Sequence, residues 1–287
     1  MPTPFEVKQV KAQRVLNPTS IDLGEFVINP YKGCELNCVY CYVKTNRVTS
    51  MSSQAWGSYV DIRANTPEQL EKELDQKSVS NVLLGSTTEL FQPVEDKYHM
   101  SRKILEILNR RKISYVILTR APEVLNVLPL LTEGFCRKIY FTVNLFDMKF
   151  KRLLEPKSAD FKSRSKAIQT LMENGIPVIT YFCPVLPWIS EYEKVFDFYP
   201  VSDPIEFEFL NFTLKHIDEV IGCVEKVDAE IGSRYRRMQT DKSFFNGVWD
   251  GVRNTLQPLA VASGRRYKFF EHQFEGYFEN KYYDDPI

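Results

Sequence analysis

Six short runs rich in β-branched and aromatic residues recur along this chain, separated by longer runs with apolar residues at helical spacing. That alternation is the strongest constraint on what the chain can fold into. The strand-like runs are 25–29, 81–85, 114–119, 138–144, 177–182 and 205–211. The helix-like runs between them are 67–76, 101–111, 122–131 and 163–174. Thr66 with Gln69 three residues later reads as a capping box, and Asn174-Gly175 reads as a stop signal. Strands that alternate with helices call for parallel βαβ units, so the fold class is α/β. Periodicity by itself leaves an open doubly wound sheet and a partial barrel equally available. A chain of 287 residues with 44% hydrophobic content can bury one large core, or a core and an appendage.

The densest chemical signal is a run of three cysteines, Cys34, Cys38 and Cys41, inside Asn29-Pro-Tyr-Lys-Gly-Cys-Glu-Leu-Asn-Cys-Val-Tyr-Cys-Tyr42. Half of the six cysteines therefore fall within eight residues, in a polar loop and not in an apolar core segment. An iron–sulfur cube normally takes four thiolates, so three leave one iron open to a substrate or cofactor. An open position is what separates catalytic from closed structural metal sites. A zinc knuckle calls for a second Cys/His pair at short spacing, and none follows. The remaining Cys136, Cys183 and Cys223 are scattered, which suits a reducing compartment better than a disulfide framework.

The spacing C-x3-C-x2-C, with Tyr40 just before the last cysteine, resembles the signature of radical S-adenosylmethionine (SAM) enzymes. The flanking residues are similar to the spore photoproduct lyase-like branch, also called DNA repair photolyase-like. Further blocks fit in order: Trp56-Gly-Ser-Tyr-Val-Asp-Ile-Arg, Gly85-Ser-Thr-Thr-Glu-Leu-Phe-Gln-Pro, Leu118-Thr-Arg, Leu153-Leu-Glu-Pro and Pro184-Val-Leu-Pro. The resemblance spans about Phe26 to about Ser190. It implies a partial (β/α)6 TIM-type barrel over 25–212, preceded by an arm over 1–24 and followed by a helical, aromatic-rich C-terminal extension over 213–287. It also implies a [4Fe-4S] cluster on Cys34, Cys38 and Cys41, with SAM on the open iron. Reductive cleavage would give a 5′-deoxyadenosyl radical for hydrogen abstraction, fed by an electron donor such as flavodoxin or ferredoxin.

By the same resemblance the cofactor contacts fall at strand ends. Gly85, Ser86 and Thr88 follow the second strand, where the superfamily often binds the methionine amino group; capping of the next helix is the competing role. Arg120 stands where the branch usually carries Lys and can pair with the cofactor carboxylate, or with an acid in the barrel. Thr142 and Asn144 are candidates for the ribose hydroxyls, with a strand-end turn as the alternative. Tyr40 fits the aromatic slot beside adenine, and Val185-Leu186 resembles the adenine-contacting stretch. Glu155, with Arg164 downstream, is read as either a family block or an internal ion pair. The glycine usual after Pro187 is Trp188 here.

Tyr42 occupies the place of a tyrosine thought to relay a hydrogen atom in spore photoproduct lyase; bracing of the loop is its other role. Where that enzyme carries a hydrogen-donating cysteine, this chain aligns Ser86, whose O–H bond is too strong to replace a thiol. Cys183 is a substitute donor if it points inward, although a small core cysteine is the common fate of such a residue.

Charge narrows the partners. With 37 basic and 37 acidic residues the net charge is zero, which removes a global argument for nucleic acid or anionic membrane. The one dense basic run, Ser233-Arg-Tyr-Arg-Arg237, suits phosphates or an ordinary solvated helix face. The Met-Pro-Thr-Pro start lacks the build of a signal peptide and no long apolar run occurs, so the expectation is a cytoplasmic protein. After 212 the pattern turns helical, over 216–231 and 243–259. The tail 265–283, with eight aromatic residues, reads as a segment packed back on the core, with a lid or base-stacking surface as the alternative. A nucleic-acid-binding protein using the cluster as a structural or redox-sensing element stands as the second functional class.

Overall fold

The computed structural model describes residues 5–46, 54–199, 204–276 and 278–283, and for 278–283 the backbone alone. The chain is mixed α/β and divides into two compact units. One takes in the residues up to Asn37, Asn46–Phe141 and Thr170–Val178; the other takes in Cys38–Thr45, Thr142–Gln169 and the chain from Ile179.

The strands of the first unit, in chain order, are β1 (Glu6–Val10), β2 (Asn17–Pro18), β3 (Phe26–Ile28), β4 (Tyr31–Lys32), β5 (Tyr59–Arg63), β6 (Asn81–Leu84), β7 (Ser114–Thr119) and β8 (Cys136–Val143). β8 runs on into the second unit for its last two residues. β3, β6, β7 and β8 are neighbours and parallel, with Val27 opposite Leu83, Leu83 opposite Val116, and Ile117 opposite Ile139. Their near-continuous apolar sequence follows from burial on both faces, since helices cover the sheet. Those helices are α1 (Thr66–Gln76) and α2 (Met100–Arg110). β1, β5 and β4 form a small separate sheet, a pairing of the arm with 59–63 that the sequence reading does not foresee.

The expected capping box at Thr66 is not formed. Asn65 is the N-cap and its side chain is spent on both backbone groups of Ala12, while the Thr66 hydroxyl donates to Arg63 O. Gln69 turns instead to Glu73, whose carboxylate accepts the N–H groups of Val15 and Leu16. Tertiary partners thus outcompete the local motif. The expected helix at 122–131 resolves into a 3-10 segment, Pro122–Val127, and a short helix, Leu128–Thr132, with Pro129 in its first turn.

The second unit carries β9 (Val178–Val185, all but its first residue), β10 (Ile205–Phe209), β11 (Tyr267–His272) and β12 (Phe278–Tyr283). β9, β10 and β11 are parallel; β12 returns antiparallel beside β11. Its helices are α3 (Met148–Leu154), most of α4 (Phe161–Glu173), α5 (Ile217–Glu225), α6 (Ala229–Thr240) and α7 (Lys242–Ala262). The helical stretch after 212 is therefore present, but the single helix expected at 216–231 is two. Asp228 ends the first and caps the second, accepting the N–H groups of Glu230 and Ile231.

The tail expected within the helical extension is corrected to strand. Tyr267 and Phe269 alternate inward along β11, as period two requires. Phe182, Phe207, Phe209 and Phe269 form one apolar face of this sheet, each at most 1% exposed. Trp249 of α7 stacks on Phe209 at 4.2 Å between ring centres. Among the described residues no helix is long and apolar enough to cross a membrane.

Candidate active site

The cysteine loop follows β4. Gly33 is left-handed at φ 90°, and a Cβ there would lie 2.3 Å from the Tyr59 carbonyl oxygen, so glycine is required. In the first unit the loop is tied to the segment after β6. Thr88 Oγ1 donates to Gly33 O at 2.7 Å and accepts from Gln92 Nε2 at 3.0 Å. Gln92 Oε1 accepts the Glu35 N–H, and Glu35 Oε1 accepts the Val94 N–H. Thr88, expected at the cofactor, has its hydroxyl in this tether.

The strand ends of the first unit carry the other expected contacts. Asn29 holds the Ser86 segment: its Nδ2 donates to Ser86 Oγ at 3.3 Å and its Oδ1 accepts the Thr87 N–H at 3.1 Å. Gly85 is left-handed at φ 84°, and its missing Cβ makes room for Leu118 O and Leu90. Arg120, half-buried at the end of β7, gives its backbone N–H to Glu89. Glu89 also accepts from Thr119 Oγ1 at 2.7 Å and the Phe91 N–H. Burial raises the Glu89 carboxyl above the usual range, against the pull of these donors and of Arg120. Asn29, Gln92 and Glu89 were not singled out from the sequence; only their tertiary partners show their role.

In the second unit the later part of the loop is held by a buried polar network. The Val39 N–H donates to Leu154 O at 2.9 Å. Tyr40 donates its hydroxyl to Glu155 and accepts from Asn144 Nδ2 at 2.8 Å. Glu155, fully buried, is paired with Arg164 and accepts from Ser158 Oγ at 2.5 Å. Arg164 Nη1 reaches Asn144 Oδ1 and Thr142 O, both at 3.4 Å. The internal ion pair is thus present, and Asn144 and Thr142 meet it through an amide and a carbonyl. The Cys41 N–H donates to Cys38 O, and the 3-10 segment Tyr42–Thr45 follows. That segment is pinned by an ion pair from Lys44 to Glu219 and by Thr45 Oγ1, 3.2 Å from His216 Nδ1. Burial, and then the Lys44 charge, hold His216 below the ordinary imidazole value.

Tyr42 is 54% exposed. Its phenol is nevertheless raised above the ordinary value, by desolvation and then by the charges of Cys41, Glu208 and Cys183. Cys183, half-buried on β9, donates its thiol to Glu208 Oε2 at 3.4 Å. Tyr181 also donates to Oε2, and His272 Nε2 donates to Oε1 at 3.0 Å. Burial favours the protonated acid at Glu208, but these donors and the His272 charge hold it below the usual carboxylate range. Sequence reading reached Cys183 but missed Glu208 and His272. The available signal was Ile-Glu-Phe-Glu-Phe in β10, two acids at period two in a strand that is otherwise apolar.

Val185 and Leu186 are fully buried. Trp188 keeps a left-handed backbone, φ 62°, at the place where the family has glycine. Its ring lies near Tyr235 and Phe244, with the Arg234 guanidinium 5.2 Å away. The arginines of 233–237 are each paired: Arg234 with Glu230, Arg236 with Asp218 and Glu225, and Arg237 with Asp241.

Cys34 and Cys38 are buried and Cys41 is half-buried. Among the described residues no three His, Cys, Asp or Glu side chains converge to cage a single ion. A four-iron cluster spreads its sulfur ligands more widely than one ion does, so three cysteine thiols in one short loop suit a cluster in their chemistry. Burial pushes the Cys136 thiol up to about 12 and raises Cys223, which marks both as unreactive.

Residues 28–198 match the family model described as the Radical SAM superfamily. An uncharacterized protein of Methanocaldococcus jannaschii is 28% identical over 263 residues, covering 91% of this chain and 97% of that one. An uncharacterized protein of Acidianus two-tailed virus is 24% identical over 242 residues, covering 76% and 79%. Among solved structures, a variant of spore photoproduct lyase superposes with a TM-score of 0.58 at 15% identity, covering 97% of this chain and 74% of that one. Another variant, with bound AdoMet and dinucleoside spore photoproduct, gives 0.56 at the same identity and coverage. At that identity the likeness is one of fold, and the fold is the radical SAM core. With the family model covering more than half of its length, this chain belongs to the radical SAM superfamily and is a radical SAM enzyme.

Proposed function

We propose that Cys34, Cys38 and Cys41 hold a [4Fe-4S] cluster with SAM at its open iron, and that the enzyme abstracts hydrogen from a substrate not yet identified. The cluster, when bound and reduced by a small electron-transfer protein such as flavodoxin or ferredoxin, supplies the electron that cleaves SAM to methionine and a 5′-deoxyadenosyl radical. The observation that carries this reading is the loop itself, three cysteines in eight residues. The rest of the chain binds, orients and excludes water. Arg120 offers a guanidinium to the cofactor carboxylate, and Gly85 and Ser86 offer backbone and hydroxyl to its amino group. Thr142 and Asn144 face the ribose in this reading, and Tyr40, fixed by Glu155 and Asn144, sets the aromatic slot for adenine.

Hydrogen return to the product is assigned to Cys183, with Tyr42 beside the last cysteine as a relay. In that step the S–H bond breaks homolytically. The hydrogen atom closes a C–H bond on the substrate radical, and the thiyl left on sulfur is returned to a thiol by one proton and one electron from the same electron-transfer protein, passed through Tyr42. The test is anaerobic reconstitution of wild-type and Cys38→Ala protein, with iron analysis and chromatography for 5′-deoxyadenosine. About four irons per chain and reductant-dependent 5′-deoxyadenosine are expected for wild type, and neither for the variant. A full cluster in Cys38→Ala would sink the assignment.

A further inference from the structure

The parallel strands β9, β10 and β11 have two unlike faces. One is aromatic and closed. On the other, alternation places Tyr181, Cys183, Glu206, Glu208, Lys268, Phe270 and His272, and all of these except Glu206 remain partly exposed. Parallel strands covered on both sides are ordinarily apolar throughout, so a polar, half-open set of this kind needs a reason. Glu208 is its centre: three donors, the Tyr181 hydroxyl, the Cys183 thiol and the His272 imidazole, converge on one carboxylate. A carboxylate has about four lone-pair positions, so this one is nearly saturated.

We propose that Glu208 is a positioning residue that holds Cys183 as an oriented, neutral thiol, with Tyr181 and His272 locking the carboxylate in place. The inference rests on the reading of Cys183 as hydrogen donor. Only the protonated sulfur can give up a hydrogen atom. A negative carboxylate accepting the S–H bond opposes a second negative charge on sulfur, and it restricts the rotation of the thiol hydrogen. His272 from β11 keeps the negative charge on Glu208, and Tyr181 from β9 accepts none of it because its phenol is driven far above neutrality by burial. The other charged and titratable groups on this face are Glu206 of β10 and Lys268 of β11, with Lys268 over the Phe270 ring; from the cluster loop, Tyr42 interacts with Glu208 and Cys183. The residues are contributed by three strands that sequence order separates by up to about ninety positions, which explains why no local motif announces the set.

The test follows iodoacetamide alkylation of Cys183 in the reconstituted holoenzyme, read by peptide mass spectrometry between pH 6 and 10. Glu208→Gln should alkylate about tenfold faster than wild type near pH 8, with the profile displaced to lower pH. His272→Gln should give a smaller shift in the same direction, and Glu206→Gln little or none. A Cys183 profile unchanged within about twofold in both Glu208→Gln and His272→Gln overturns the proposal. A second readout separates it from the donor assignment. SAM cleavage without substrate, run in D2O, should place deuterium in 5′-deoxyadenosine, and Cys183→Ala should abolish that label. Label that persists in Cys183→Ala overturns the donor assignment, whereas the alkylation profile still reports on the Glu208 contact.

Discussion

At the scale of single residues, two positions make opposite demands. The Glu155–Arg164 pair is buried at both ends, with side chains 0% and 3% exposed. Removing one partner strands a charge, so Arg164→Ala should lower stability by about 3–5 kcal/mol, checked by the urea midpoint. Tyr40→Phe deletes one hydroxyl from the same network and should cost about 1–3 kcal/mol. Trp188 instead stores backbone strain, since a side chain at φ 62° costs roughly 1–2 kcal/mol relative to glycine. Its aromatic contacts with Tyr235 and Phe244 return about 0.5–1.5 kcal/mol each. Trp188→Ala should therefore be less stable than Trp188→Gly, because Ala loses the stacking and keeps the strain. Equal midpoints for the two variants would show that the backbone relaxes.

At the scale of elements, helix boundaries were the least legible feature. The apolar rhythm of 216–231 continues smoothly, yet Asp228 breaks it because its carboxylate finds two free N–H groups at the start of α6. Asp228→Ala should cost about 1 kcal/mol, visible as a small drop in thermal midpoint. Thr66 shows the reverse case: Gln69, its expected capping partner, turns to Glu73 one turn further along the helix, and Asn65 takes the cap position with its side chain spent on Ala12, which no local window contains. Strands were read more easily because β-branched runs bounded by turns leave few alternatives. The exceptions are β1, β2, β4, β5, β11 and β12; of these, β1 and β5 pair across about fifty residues and β11 lies about sixty from β10.

At the scale of the whole molecule, acid should destabilise the fold in two stages. Burial lowers His216, so the folded state refuses a proton that the unfolded chain accepts; stability is full above about pH 6.5 and declines as pH falls below it. Glu208 and Glu73 are held below the usual carboxylate range, so their contribution is present above about pH 4.5 and is lost as pH falls through their folded values. Glu89, raised by burial, acts in the opposite sense above about pH 4.5, where the folded state takes up its proton first, and so offsets part of the first stage. Thermal midpoints from pH 8 to 4 should show both declines, and His216→Gln should flatten the first. Substrate range is also a property of the whole. With zero net charge and its arginine run paired, the protein should bind duplex DNA weakly and with steep salt dependence. On the proposed reading, in which Ser86 stands where spore photoproduct lyase has a donor cysteine, no efficient repair of that lesion is expected. Multiple-turnover conversion to two thymines in a repair assay would refute this.

The amino-acid order by itself determined the chemistry of the loop, because Cys34, Cys38 and Cys41 lie within one turn-rich segment and need no distant partner to be recognised. It also determined the α/β class, since hydrophobic period is a local property. What tertiary structure alone decided is which polar side chains meet. Thr88 ties down the loop, Asn144 braces Tyr40, and the Glu208 set assembles from β9, β10 and β11. The physical reason is common to all three. A hydrogen bond depends on distance and direction between groups far apart in the chain, and periodicity carries no information about either.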